Sequence, residues 1–224
     1  MSALALESIY PRRTRAIVFD FDGTLVDTMQ SFADTAASVM ADRYSVHFQW
    51  ARRRYLETSG IPFVQQLEVI FPSDGRNAGA ADEFEQRKLT SFFEESFSDD
   101  VATAIDSLRS DGYAVVISSN NFQHLLDQFV AREGVEFDVV LGCRENFYKG
   151  HHHFRHIEET LGLRRDELVF VGDSLLDGVK ARECGVRFVA KTGTFTADAF
   201  RRAHPGVATV ERIAELASLV PALG

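Results

Sequence analysis

Short apolar runs recur along this chain, each bounded by charged or turn-forming residues and separated by a stretch long enough for a helix. Within a run the hydrophobic positions are nearly continuous rather than alternating, which is typical of strands buried on both faces of a parallel sheet. The pattern predicts strands at Ala16 to Phe19, Tyr113 to Ile117, Phe137 to Leu141, Leu168 to Val171 and Val186 to Ala190, with Val207 to Val210 as a candidate sixth.

The stretches between these runs fit helices, so strands and helices alternate along the chain. This alternation predicts an α/β fold with a doubly wound, mainly parallel, Rossmann-like sheet. Folds of this kind bind ligands at the carboxyl ends of their strands, where we therefore expect the functional residues. The predicted helices are Ala102 to Arg109, Phe122 to Ala131, Phe154 to Leu161, Leu175 to Cys184 and Glu211 to Leu219.

Residues 29–97 interrupt the alternation, because they contain no convincing strand. Turn-forming residues divide this block at Thr58 to Pro62 and at Pro72 to Gly75. We expect an inserted all-helical cap domain here, with residues 1–28 and 98–224 forming the two segments of the core domain. Since the block directly follows the first strand, it should lie over the carboxyl end of that strand. Its predicted helices include Phe32 to Arg43, Phe63 to Phe71 and Asp82 to Phe97.

Two carboxylates, Asp20 and Asp22, end the first strand, and Gly23 follows at once. Alternate residues of an extended chain point to the same side, so the two acids share a face while Phe21 turns toward the core. At about 4 Å and an effective dielectric of about 20, their repulsion costs about 4 kcal/mol. Mg²⁺, which is commonly held by one or two carboxylates plus phosphate, would relieve it. A solvated turn with two incidental acids is the alternative.

Polar residues also follow the next strands. A hydroxyl and the backbone amides at Ser118 and Ser119 would suit phosphate oxygens, although helix capping explains serines there equally well. Lys149 stands beyond the third strand and, taken alone, is best interpreted as a surface lysine. The fourth strand ends in Asp173, and Asp177 lies four residues on, on roughly the same helical face.

The order of these features resembles the haloacid dehalogenase superfamily of phosphohydrolases, from about Ala16 to Leu219. The helical insert resembles the cap of the phosphoglycolate phosphatase and β-phosphoglucomutase branch. The matching motifs are Asp20-Phe21-Asp22-Gly23-Thr24, then Ser118, then Lys149, and finally Gly172-Asp173-Ser174 through Asp177.

This resemblance implies a Mg²⁺-dependent phosphatase that hydrolyses a small-molecule phosphate monoester through an aspartyl-phosphate intermediate. Asp20 would be the nucleophile, and Asp22 would act as general acid and then as general base. The implied metal contacts are Asp20, the Asp22 carbonyl and Asp173.

Phosphate binding is implied for three further positions. Ser118 and the amide of Ser119 would hold the phosphoryl oxygens, and Lys149 would neutralise their charge. Asp177 would support Lys149 or a metal-bound water, and Thr24 belongs to the first motif as a further supporting residue.

Two other functions remain open at this level. A phosphosugar mutase of the same superfamily needs the same acid at Asp22, and a catalytically silent metabolite-binding protein would keep the fold. The resemblance disfavours a phosphonatase, because phosphonatases of this branch rely on a Schiff-base lysine in the cap. Lys88 is the only lysine of the insert, and we expect it to lie well away from the cap turn near the site.

The resemblance also implies that the cap turn, which contains Ser59, Gly60 and Phe63, would face the leaving group. Phe63 packing in the insert's own core is the somewhat better interpretation, and the arginines at 52–54 could meet a second anionic group.

Three consecutive histidines, His151, His152 and His153, are interpreted as solvated imidazoles at a helix start. Adjacent helical residues point about 100° apart, which argues against a second metal site.

Net charge and cysteine content limit the partners and the cellular compartment that we expect for this protein. A net charge of −9 argues against binding to nucleic acid, whose phosphate backbone selects basic surfaces. Two cysteines, Cys143 and Cys184, offer no disulfide framework, which favours a reducing compartment. Met1 to Arg15 lacks the basic start and apolar stretch of a signal peptide. We therefore expect a cytoplasmic protein with no membrane partner; the sequence does not indicate its oligomeric state.

Overall fold

A six-stranded sheet forms the centre of the computed structural model, which describes residues 14–220. All pairings are parallel, and the spatial order is β3-β2-β1-β4-β5-β6. The predicted Rossmann-like α/β fold is therefore confirmed, including its sixth strand. The strands are β1 Ala16–Phe19, β2 Ala114–Phe122, β3 Val139–Cys143, β4 Leu168–Gly172, β5 Arg187–Lys191 and β6 Ala208–Val210.

Helices cover both faces of the sheet and fill the insert. The first four lie between β1 and β2, and among the described residues of that block no strand accompanies them. The helices are α1 Met29–Tyr44, α2 Phe48–Glu57, α3 Phe63–Ile70, α4 Asn77–Phe92, α5 Asp99–Ser110, α6 Gln123–Glu133, α7 His151–Leu161, α8 Leu175–Cys184, α9 Ala197–Ala203 and α10 Leu216–Leu219. The all-helical insert is confirmed, while its boundaries at 29 and 97 stay a prediction.

Several elements differ from the prediction. Helix α4 begins and ends five residues earlier than expected, and β2 continues through Phe122, so the serines stand on a strand rather than in a turn. Helices α2 and α9 were not predicted, although each has a side-chain cap: His47 accepts from Gln49 N, and Thr196 accepts from Ala199 N. The expected last helix is only a 3₁₀ turn, Ile213–Glu215, followed by α10.

Phe21 connects the sheet to the insert. It is fully buried and its ring lies 5.7 Å from that of Phe92 in α4 and 5.0 Å from that of Phe129 in α6. Aromatic pairs at this separation stabilise beyond their buried area. Because Phe21 is fixed inward, Asp20 and Asp22 on either side of it are directed away from this core, as the alternation in sequence predicts.

Strand register brings the polar residues to one edge. Phe19 of β1 is level with Ile117 of β2 and with Val171 of β4, so the chain positions that follow all three lie at the same height. This edge is where ligands of doubly wound sheets bind.

No helix within residues 14–220 is both long and apolar enough to cross a membrane. The predicted absence of a signal peptide concerns residues 1–15, most of which lie outside the described range.

Candidate active site

Lys149 lies between two carboxylates at the edge of the sheet. Its Nζ is 2.6 Å from Asp20 Oδ1 and 2.7 Å from Asp177 Oδ1, and all three residues are buried. Asp177 is held in turn by the start of α8, where its Oδ2 accepts from Ser174 N at 3.2 Å and its own N donates to Ser174 Oγ at 3.0 Å. Interpreted from its position in the sequence alone, Lys149 would be a surface lysine; the fold makes it the central cation of this edge.

Asp173 completes a group of three buried acids. One ligand oxygen each of Asp20, Asp173 and Asp177 lies within 4.8 Å of the others. Thr194 donates a hydrogen bond to Asp173 Oδ2, and Gly23 approaches so closely, with φ +75°, that a Cβ there would stand 2.1 Å from the same oxygen. Only glycine fits this turn, since a side chain would clash and be strained.

The charges of this group do not balance. Burial raises the pKa of Asp20 to about 6, an effect that Lys149 opposes and that the charge of Asp177 increases. Burial and then the charges of Asp20 and Asp177 raise the pKa of Asp173 well above its ordinary value. Three carboxylates with one ammonium therefore favour uptake of a further cation, and their oxygen donors fit Mg²⁺.

Asp22 has a separate set of partners. Thr28 Oγ1 donates to its Oδ1 at 2.8 Å, and Asn121 Nδ2 donates to its Oδ2 at 2.8 Å. Asn121 Oδ1 accepts in turn from Lys88 Nζ at 2.6 Å. The expectation that Lys88 lies away from the site is wrong: α4 carries it across to β2, into the same cavity as the cap turn.

The two serines of β2 have different surroundings. Ser118 is fully buried with its Oγ 2.9 Å from His153 Nδ1, whereas Ser119 lines the cavity and its Oγ accepts from Asn121 N at 3.0 Å. Of the two hydroxyl residues, it is therefore Ser119 rather than Ser118 that lines the cavity. The prediction that His153 is solvated is wrong, because the residue is buried. Burial, and then the charge of Lys149, lower the pKa of His153 to about 3.

A cavity of about 450 Å³ separates the acids from the insert. Ser59 lines it and is buried, with an Oγ that has no hydrogen-bond partner among the described residues. Phe63 both lines the cavity and packs in the insert, with its ring 4.3 Å from that of Phe84. The wall on this side is largely apolar and includes Met29, Phe32, Tyr55, Ile61, Phe63 and Phe84.

Gly60 brings the insert into contact with the core. Its carbonyl accepts from Lys180 Nζ at 2.6 Å and from Asn120 Nδ2 at 3.2 Å. With φ +98°, a Cβ at this position would lie 2.4 Å from Ser174 Oγ. Neither Lys180 nor Asn120 stood out in the sequence, because their role depends on a carbonyl rather than on a side chain.

The arginines at 52–54, which could have met a second anionic group, are not among the described residues that line the cavity. They contact surface partners instead: Arg52 bonds to Asp34 at 2.6 Å and Arg54 to Glu57 at 2.8 Å. The supporting residue Thr24 does not line the cavity either. Thr24 is buried in the turn that follows β1, and its Oγ1 has no hydrogen-bond partner among the described residues.

Together, the fold and the residues at the carboxyl edge of the sheet define a Rossmann-like α/β hydrolase with a helical insert over a cluster of acids. The chain belongs to the haloacid dehalogenase-like hydrolase family, which it matches over residues 17–191. The predicted superfamily is thereby confirmed.

Individual relatives differ in chemistry. A phosphoglycolate phosphatase from Synechococcus elongatus is 26% identical over 193 residues, covering 81% of this chain and 85% of that protein. An (S)-2-haloacid dehalogenase from Pseudomonas putida is 25% identical over 183 residues, covering 75% and 81%. A haloacid dehalogenase-like family hydrolase from Streptococcus pneumoniae shares the fold, with a TM-score of 0.73 and 20% identity over 91% of this chain and 96% of that one. Similarity to these relatives therefore does not distinguish between the two reactions.

Proposed function

We propose that this protein is a Mg²⁺-dependent phosphatase that hydrolyses a phosphate monoester of a small metabolite through an aspartyl-phosphate intermediate. The observation that carries the proposal is the buried cluster of Asp20, Asp173 and Asp177, in which Lys149 lies between Asp20 and Asp177. Asp22 lines the adjoining cavity. Asp22 also favours phosphate over halide chemistry, because a halide leaving group needs no proton.

In the first half-reaction, a carboxylate oxygen of Asp20 attacks phosphorus in line with the leaving oxygen. The P–O bond to the alcohol breaks, and its electron pair takes the proton of Asp22. Lys149 faces Asp20 and balances charge on the transferring group, while the Ser119 hydroxyl and neighbouring backbone amides hold its oxygens. Asp177 positions Lys149 from the opposite side.

In the second half-reaction, Asp22 is ionised and removes a proton from water. The water oxygen attacks phosphorus, the bond to Asp20 breaks, and inorganic phosphate leaves with Asp20 restored as a carboxylate. Bound Mg²⁺, held by Asp20, Asp173 and the Asp22 carbonyl, would supply positive charge to the phosphoryl oxygens throughout.

The helical insert, which we assign to residues 29–97, would close over the core segments 1–28 and 98–224 and exclude water. Ser59, Gly60 and Phe63 would then face the leaving group. The apolar wall beside Phe63 and the Ser59 hydroxyl, which has no hydrogen-bond partner within residues 14–220, support a leaving group with both apolar and hydroxyl character. Cytoplasmic location and the absence of nucleic-acid and membrane partners stay predictions.

Phosphate release from a panel of phosphorylated metabolites tests the proposal, with Mg²⁺ and with chelator. We expect release that requires Mg²⁺ and that Asp20→Asn abolishes while the circular dichroism spectrum is unchanged. Hexose 1-phosphates are also assayed for isomerised product, which would identify a mutase instead. Absence of both release and isomerisation across the panel would favour the catalytically silent binding protein.

A further inference from the structure

Lys88 reaches from the insert to the core. Its Nζ donates to Asn121 Oδ1 at 2.6 Å and lies 4.6 Å from the centre of the Phe32 ring, so it approaches a carboxamide and an aromatic face together. A carboxamide has one accepting end and one donating end. An ammonium at Oδ1 therefore determines which way the Asn121 amide points.

The donating end of Asn121 meets Asp22. Its Nδ2 lies 2.8 Å from Asp22 Oδ2, and Thr28 Oγ1 lies 2.8 Å from Asp22 Oδ1, so each carboxylate oxygen has its own donor. A flipped Asn121 would set its oxygen against the carboxylate and its NH₂ group against the ammonium of Lys88. Both contacts would be repulsive, and the flip is excluded while Lys88 is in place.

We propose that Lys88 is a positioning residue for proton transfer by Asp22, acting through the Asn121 amide. Lys88 belongs to α4 of the insert, whereas Asn121 and Asp22 belong to the core, so the orientation of the acid depends on the insert being seated. The inference rests on the proposed function, in which Asp22 protonates the leaving oxygen as the P–O bond breaks. Lys88 itself does not touch the reacting atoms; the carboxamide stands between.

The chemistry provides a selective test. Protonation of the leaving oxygen accelerates departure of a basic alkoxide or phenoxide, whereas nitrophenolate leaves readily without a proton. The quantity to compare is kcat/KM, which covers the steps up to departure of the alcohol and leaves out the later hydrolysis of the aspartyl-phosphate. Loss of Lys88 should reduce kcat/KM for phenyl and methoxyphenyl phosphates by about 30- to 100-fold and for nitrophenyl phosphate by about 3-fold or less. A purely structural or substrate-binding lysine would lower kcat/KM by the same factor for every substrate.

The experiment measures kcat/KM for a series of aryl phosphates graded by leaving-group basicity. Lys88→Met should steepen the dependence of kcat/KM on that basicity, and Lys88→Arg should restore it. Asn121→Asp should steepen it as well, since it keeps a partner for Lys88 but offers Asp22 no donor. Arg87→Met is the matched control, because Arg87 occupies the same helix and contacts Glu83 on the surface. It should leave the dependence unchanged.

A second measurement is independent of turnover. The side-chain NH₂ signal of Asn121 in a ¹H–¹⁵N spectrum, assigned by its loss in Asn121→Asp, should move in Lys88→Met and return in Lys88→Arg. An unmoved signal, or a uniform loss of kcat/KM across the series, overturns the inference. Lack of Mg²⁺-dependent turnover in the unaltered protein would instead refute the proposed function, and the NH₂ signal would still decide the role of Lys88.

Discussion

Lys149 Nζ lies 2.6 Å from Asp20 Oδ1 although the two residues are 129 positions apart in the chain. Both are buried, and burial acts against the charge of each. After that opposing effect, the carboxylates of Asp177 and Asp20 raise the pKa of Lys149 above its ordinary value, so the lysine is charged throughout the physiological range. The pair therefore survives in the interior only as a mutually compensated unit.

Removal of Lys149 should show how strongly the buried carboxylates depend on its charge. Lys149→Met leaves two buried carboxylates without their cation, and we expect a loss of about 3 to 5 kcal/mol in the free energy of unfolding at pH 8. The loss should be smaller at pH 5, because the uncompensated Asp20 then takes up a proton. Urea unfolding at the two pH values measures both. The double variant Asp20→Asn/Lys149→Met should recover part of the stability; a strictly additive loss would contradict the pairing.

Metal binding should compete with protons. In the absence of metal, the pKa of Asp20 is about 6 rather than 3.8, so the folded state binds a proton that the unfolded state releases, and metal-free stability falls as pH rises through 6. Mg²⁺ must displace this proton. We therefore expect Mg²⁺ to raise the melting temperature far more at pH 8 than at pH 5. An equal rise at both pH values, or an undiminished rise in Asp173→Asn, would count against the metal site.

His153 should give the opposite pH dependence. Its pKa is about 3 in the folded protein and 6.5 ordinarily, so below pH 6.5 the unfolded state takes up a proton that the folded state does not. The folded protein loses about 2 kcal/mol from this group between pH 7.5 and 5. His153→Gln removes that loss, so the difference in unfolding free energy between the two proteins should narrow as pH falls. A constant difference would show that His153 titrates normally.

The cap turn offers a test of closure. Gly60→Ala places a methyl group 2.4 Å from Ser174 Oγ at a φ of +98°, which should prevent the turn from seating on the core. We expect kcat/KM to fall by about 100-fold with little change in melting temperature. Gly75→Ala is the matched control, since no atom lies within 4 Å of its added Cβ. Equal activity of the two variants would argue that the turn does not close over substrate.

The fold was largely readable from the sequence, because buried parallel strands leave continuous apolar runs. Asp20, Asp22 and Asp173 were found in the same way, as polar residues at strand ends. Residues whose role depends on side-chain contacts between elements distant in the chain were not found from the sequence. Lys88 and His153 carry no local signal, since a lysine on a helix and a histidine in a run of three have the ordinary sequence of solvated residues.

Backbone contacts were equally hidden. The carbonyl of Gly60 accepts from Lys180, and a pattern of side chains does not predict which main-chain carbonyl will accept a hydrogen bond. Ser118 and Ser119 could not be separated by sequence because both are small hydroxyl residues at a strand end. Both are buried, but β2 continues to Phe122 and therefore turns Ser118 toward His153 and Ser119 toward the cavity.

In the proposed mechanism Asp20 carries the phosphoryl group during turnover. To detect it, the protein is mixed with nitrophenyl phosphate and Mg²⁺ and the reaction is stopped in acid within one turnover. Mass spectrometry then determines whether the peptide containing Asp20 is phosphorylated. We expect one phosphoryl group on Asp20, and neither phosphorylation nor turnover in Asp20→Asn. Mg²⁺-dependent turnover that persists in Asp20→Asn, with no phosphorylated peptide in either protein, would refute Asp20 as the nucleophile.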